Sequence, residues 1–135
     1  MSHPFAAPIE TMEAKISESW PKGSFLYEPK WDGFRSVSWS SPEIRLDSRS
    51  QRPLLRYFPE LTAALEQLPE GTVVDGEVIV VVDGATDFAN LQQRIHPAES
   101  RVKMLSEAIP AELVAFDLLA HGGEDLRSTP FLGRR

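Results

Sequence analysis

Cysteine is absent from this 135-residue chain. That excludes disulfides and thiolate metal sites and fits a reducing compartment. No apolar run reaches the roughly 18 residues of a membrane span. The opening MSHPFAAPIE has neither a basic region nor an apolar stretch after it, so no secretory signal is expected and a cytoplasmic location is the expectation. The chain has no glycine-rich phosphate loop, no internal repeat and no low-complexity tract. Histidine is sparse. His3, His96 and His121 share no metal-ligand spacing with one another or with acids, and they read as surface residues.

Positive charge is also in deficit, with a net charge of −6 that argues against a general nucleic-acid coat. It is unevenly spread, however. Residues 30 to 56 carry six cations, Lys30, Arg35, Arg45, Arg49, Arg52 and Arg56, against only Asp32, Glu43 and Asp47. Such a stripe suits a phosphate-bearing ligand. On charge alone, arginines decorating one strand and one loop are the plainer reading. Hydrophobic residues make up 41% of the chain, enough for one packed domain.

Residues 1 to 10 read as a proline-bearing extended arm. Thr11 to Trp20 has the form of a short helix capped by Thr11, broken by Pro21-Lys22-Gly23. Ser24 to Pro29 reads as a short strand and Trp31-Asp32-Gly33 as a turn. Phe34 to Ser40 and Glu43 to Ser50 read as two further strands. Phe58 to Leu68 has helical spacing, with Pro59 in the first turn. Thr72 to Val82 is a β-branched strand whose near-continuous apolar run places it inside the sheet. Phe88 to Ile95 and Ala98 to Ala108 read as helices, Ala111 to Ala120 as a second buried strand, His121 to Leu126 as a turn and the tail as loop. The order is not a regular βαβ alternation. It predicts an α+β fold with a largely antiparallel sheet and short helices.

The stretch YEPKWDGFR places Lys30 between a proline and a tryptophan. On an extended backbone Glu28, Lys30 and Asp32 share one face, and Gly33 lets the chain turn close to a ligand. An ordinary lysine, with a pKa of about 10.4, is almost wholly protonated at neutral pH and is no nucleophile. Two neighbouring carboxylates hold it in that form, so these residues alone read as an exposed lysine in a hairpin turn, paired with Asp32. Glu77, inside VVDGEVIVVV, is a carboxylate that is costly to bury without a partner. Read alone it stands evenly between site and scaffold. Phe116, in an apolar run, reads alone as core. Asp75 and Asp117 read as solvated strand ends.

KWDG followed by FR resembles motif I of the nucleotidyltransferases that form a covalent lysyl-nucleotide, namely ATP-dependent DNA ligases, RNA ligases and capping enzymes. EPKWDGFR is most similar to bacterial ATP-dependent DNA ligases of the ligase C and ligase D type. Three more segments follow in the family's order. Ser48-Arg49-Ser50 resembles motif Ia, Val73 to Val80 motif III, and Ala115 to Leu119 motif IIIa. The resemblance covers the chain from Glu28 onward.

It implies the front part of the ATP-grasp-like nucleotidyltransferase fold. Residues 1–23 would form an arm and helix, and 24–135 a nucleotide-binding core within a partial adenylation domain. Lys30 would be the nucleophile toward ATP, with Asp32 in support of the phosphate chemistry. Glu28, Arg35, Arg49, Glu77 and Phe116 would join Lys30 in binding ATP, with Phe116 stacked on adenine and Glu77 on the ribose or on Mg²⁺. Arg49 and Arg52 would meet the DNA at a nick in double-stranded DNA. The family's metal-binding carboxylate of motif IV, the lysines of motif V and an OB-fold domain find no match here. The expectation is therefore a truncated or fragmentary ligase of DNA repair, weak alone, partnered by the remainder of the ligase or by other repair proteins. The alternatives are a non-catalytic DNA- or protein-binding module, and an RNA ligase or capping-type enzyme.

Overall fold

The computed structural model describes residues 2–135. Two antiparallel strands, β1 (Phe34–Trp39) and β2 (Arg45–Ser48), come first. A single 3₁₀ turn at Leu55–Tyr57 leads to α1 (Leu61–Glu66), followed by β3 (Val73–Ile79). The small hairpin β4 (Val81–Val82) and β5 (Ala85–Thr86) leads to helices α2 (Phe88–Gln93) and α3 (Glu99–Ala108). The long strand β6 (Glu112–His121), its partner β7 (Glu124–Asp125) and the short helix α4 (Phe131–Arg134) complete the chain. The main sheet is antiparallel with order β2-β1-β3-β6-β7. β3, with its apolar run, lies at the centre as expected.

Both faces of the sheet are covered, which explains why β3 does not alternate simply. One face carries Phe34, Leu46, Val78 and Leu113, packed with Phe58, Leu61, Leu65 and Leu91. On the other face, Val37, Trp39, Val73 and Ala120 pack under the N-terminal arm through Phe5, Ala7 and Ile9. The rings of His3 and Phe5 meet Trp39 edge-on at 5.2 and 5.5 Å. A buried arginine ties the helical side together. Arg94, with no exposed surface, bonds Glu60 and the carbonyls of Tyr57 and Ile109. Glu60 in turn accepts from the Ala111 N–H. α2 begins at Asp87, whose carboxylate accepts from the Asn90 N–H.

Four expectations fail. Thr11 to Trp20 forms no helix. A lone ten-residue helix is marginal in water, and Met12, Ile16 and Trp20 find no surface to bury against and stay exposed. Ser24 to Pro29 forms no strand, because β2 already occupies the edge beside β1. The helix expected from Phe58 begins only at Leu61, since the 3₁₀ turn and Phe58 precede it. The tail, expected as loop, closes into α4.

Candidate functional site

The site grows from the entry to β1. Gly33 passes so close to β3 that a Cβ there would lie 2.1 Å from the Val78 carbonyl oxygen. Only hydrogen fits, so the approach of Lys30-Trp31-Asp32 to the sheet depends on that glycine. Two residues on, Arg35 stands directly across from Glu77 on β3. Its Nε and Nη2 donate to the two carboxylate oxygens of Asp75 at 2.7 and 2.6 Å, and Nη2 also donates to the Met12 carbonyl. The paired Asp75 carboxylate, helped at longer range by Glu77 and Asp117, outweighs desolvation and raises the Arg35 pKa above its ordinary value.

Glu77 is the least comfortable group of the site. Its Oε2 is buried and has no hydrogen-bond partner among the described residues. Burial pushes its pKa above the usual carboxylate value, against the pull of Arg35, the Gly33 backbone N–H and the Lys30 ammonium, while Asp32 adds to the rise. Lys30 therefore lies within electrostatic reach of Glu77. Its side chain is exposed, and neither Asp32 nor any other carboxylate among the described residues forms an ion pair with it.

A hollow of about 1040 Å³ opens here, lined among others by Gly33, Arg35, Arg49, Arg52, Arg56 and Glu77. Arg49 reaches Glu13 across it at 3.0 Å, Arg52 has no ion-pair partner among the described residues, and the Arg56 guanidinium lies over the Tyr57 ring. Glu28, Lys30, Asp32 and Phe116 do not line this hollow. Glu28 is bound instead to Arg135 at 2.9 Å. Phe116 joins the site from β6 through Arg35, whose guanidinium lies 5.0 Å from its ring centroid. The strand pairing explains its position. Asp75 pairs with Asp117 but Gly76 pairs with Ala115, so Phe116 is the extra residue of a β-bulge. A bulge re-aims side chains, and here Phe116 and Asp117, adjacent in sequence, both approach Arg35.

Sequence reasoning missed several members of this arrangement. Asp75 and Asp117 are not solvated strand ends. Asp75 is 4% exposed and paired with Arg35, and Asp117 is held by Arg134 of α4 through two bonds of 2.8 and 2.9 Å. The signal for Asp75 was present, since a carboxylate inside a β-branched run needs a cation. Arg134 gave no local signal.

The antiparallel platform that carries Arg35 and Glu77 is that of the nucleotidyltransferase fold. The solved mycobacterial DNA ligase D complexed with ATP and MES shares it, at TM-score 0.63 and 32% identity over 80% of this chain and 33% of that one. More narrowly, the chain belongs to the ATP-dependent DNA ligase domain family, which it matches over residues 4–135. It is 50% identical to DNA ligase C of Mycobacterium tuberculosis and 49% identical to DNA ligase C2 of Mycolicibacterium smegmatis, in each case over its whole length. It spans 38% of the length of each of those relatives. No helix of the described residues is long and apolar enough to cross a membrane.

Proposed function

We propose that this chain forms the nucleotide-accepting part of an ATP-dependent DNA ligase that works in the cytoplasm on nicked double-stranded DNA. The observation that carries this reading is the convergence of Lys30, Gly33 and Arg35 on the buried carboxylate of Glu77. In the first step the neutral Lys30 Nζ, having lost a proton to solvent, attacks the α-phosphorus of ATP. A P–N bond forms, the bond to the bridging oxygen breaks, and pyrophosphate leaves. The AMP then passes to the 5′-phosphate at a nick, and the 3′-hydroxyl displaces it as the strand is sealed. Arg35 orders the sugar and Phe116 offers a ring face to adenine. Glu28 contributes to adenine recognition, and Asp32 supports the phosphate chemistry. Arg49 and Arg52 bring guanidinium forks to phosphate.

No cluster of three or more acidic, histidine or cysteine side chains among the described residues forms a metal cage. Mg²⁺ needs none, because it takes one or two carboxylates and completes its shell with water and substrate phosphate. The unpartnered Oε2 of Glu77 fits that need, and the ion would supply charge neutralisation at the phosphates. The carboxylate of motif IV and the lysines of motif V have no counterpart in these 135 residues. Each preorganised donor of that kind is worth roughly 3–4 kcal/mol in the transition state, so self-adenylation by the chain alone is expected to be slow. The test is incubation with α-labelled ATP and Mg²⁺. An acid-labile label that Lys30→Ala abolishes is expected, and a label that survives the substitution would remove Lys30 from the chemistry.

The arginines around the hollow favour one second reading, a DNA-binding module without catalysis. It predicts affinity for nicked DNA that falls steeply with salt and no labelled protein at any enzyme concentration.

A further inference from the structure

Across the middle of the sheet runs a row of four charges that the reaction outlined above does not use as such. Asp75 and Asp117 are direct cross-strand partners on β3 and β6, a placement of like charges that is destabilising by itself. Each carboxylate is taken by its own arginine in a two-bond fork, Asp75 by Arg35 from β1 and Asp117 by Arg134 from α4. All four side chains are largely withdrawn from water, at 21%, 5%, 13% and 15% exposure for Arg35, Asp75, Arg134 and Asp117. Arg134 is itself fixed by the Thr129 carbonyl at 2.6 Å and lies over the Phe131 ring.

We propose that Arg134 is a positioning residue for the nucleotide site, acting by neutralising Asp117 so that Arg35 stays committed to Asp75. This rests on the function proposed above only for what Arg35 does with a ligand. Without the Arg134 cation, Asp117 becomes an unpaired carboxylate beside the Arg35-bound Asp75, and the guanidinium of Arg35 is a charge within reach able to answer it. Arg35 would then be shared between Asp75 and Asp117 and drawn from its station across from Glu77. The role is electrostatic, so it disappears if Asp117 carries no charge. That separates it from a simple docking role for α4, which would need both partners.

The experiment uses the 135-residue chain and three variants, Arg134→Met, Asp117→Asn and the two combined. The primary readout is the solvent exchange rate of the Arg35 Nε–H in nitrogen-15 spectra, with the resonance assigned by its loss in Arg35→Lys. Arg134→Met is expected to speed this exchange on the order of tenfold, as befits a loosened charged hydrogen bond. Asp117→Asn should leave it unchanged, and the double variant should return it to within about twofold of the parent. An unchanged rate in Arg134→Met, or a double variant no better than the single one, overturns the proposal. Should Arg134→Met not fold, a folded double variant with parental exchange supports the proposal and an unfolded one overturns it. ATP affinity by equilibrium dialysis should follow the same order. If the parent chain takes up no ATP, the proposed function fails, and the exchange rates still decide the role of Arg134.

Discussion

Replacing Gly33 by alanine tests the closest approach in the site. The added Cβ would sit 2.1 Å from the Val78 carbonyl oxygen, 2.8 Å from Ile79 Cγ2 and 3.0 Å from the Val78 carbonyl carbon. Ordinary carbon–oxygen contacts begin at about 3.3 Å, so the chain at Gly33 must retreat from β3 by roughly 1 Å. The obstacle is backbone in a central strand, which cannot swing aside as a side-chain tip would. Overpacking of this kind costs about 1–3 kcal/mol. With an unfolding entropy of about 2.1 cal/mol/K per residue, a chain of this length should lose about 4–11 °C in Tm. The retreat also draws the Gly33 N–H away from Glu77 and carries Lys30 outward, so labelling by ATP should fall more than stability does. Gly84→Ala is the control, because a Cβ there meets nothing within 4 Å and only the positive φ of 79° is strained. Thermal unfolding followed by circular dichroism measures both variants. A Gly33→Ala protein that melts within about 1 °C of the parent and labels normally would refute the close contact and the coupling drawn from it.

Because the Glu77 pKa is raised in the folded chain, the folded state holds more protons than the unfolded state above the ordinary carboxylate range. Stability therefore falls as pH rises through that interval. Glu77→Gln should flatten this fall in urea titrations run from acid to neutral pH, and an identical pH profile in the two proteins would contradict the burial of that carboxylate. Arg94→Met leaves Glu60 without its cation in a buried network. Breaking such a pair costs about 3–5 kcal/mol, to be read as a lower urea midpoint, and a change below about 1 kcal/mol would show the network to be dispensable. Asp87→Ala removes the cap of α2 and should cost about 0.5–2 kcal/mol by the same measurement. Arg52→Ala should weaken binding of nicked DNA and lower its salt slope by about one unit, and an unchanged slope would take Arg52 off the DNA path.

What the sequence disclosed and what it hid divide along physical lines. The central strand was legible because a β-branched run of that length has few other uses, and α1 was legible from the helical spacing of Leu61 and Leu65. The basic stretch from Lys30 to Arg56 was visible as composition, and the structure places Arg35, Arg49, Arg52 and Arg56 around one hollow with Glu77. The segment from Thr11 to Trp20 misled because a cap at Thr11 and a breaker at Pro21 are local signals, whereas a helix that short depends on a partner surface. The roles of Asp75 and Asp117 stayed hidden because their cations come from distant elements, forty residues away for Asp75 and seventeen for Asp117. The bulge at Phe116 was illegible for a related reason. It is a mismatch in register between two strands, and neither strand records it alone.

The exposure of Lys30, in a stretch with no secondary structure, makes the bond to Trp31 open to trypsin. Cleavage there would leave Phe5, Ala7 and Ile9 still seated around Trp39, so the two pieces should travel together until denatured. Trypsin recognises the free ammonium, and a lysine carrying a nucleotide no longer offers one. Resistance to cutting at that single bond would thus report occupancy of the amine without any radioactive tracer.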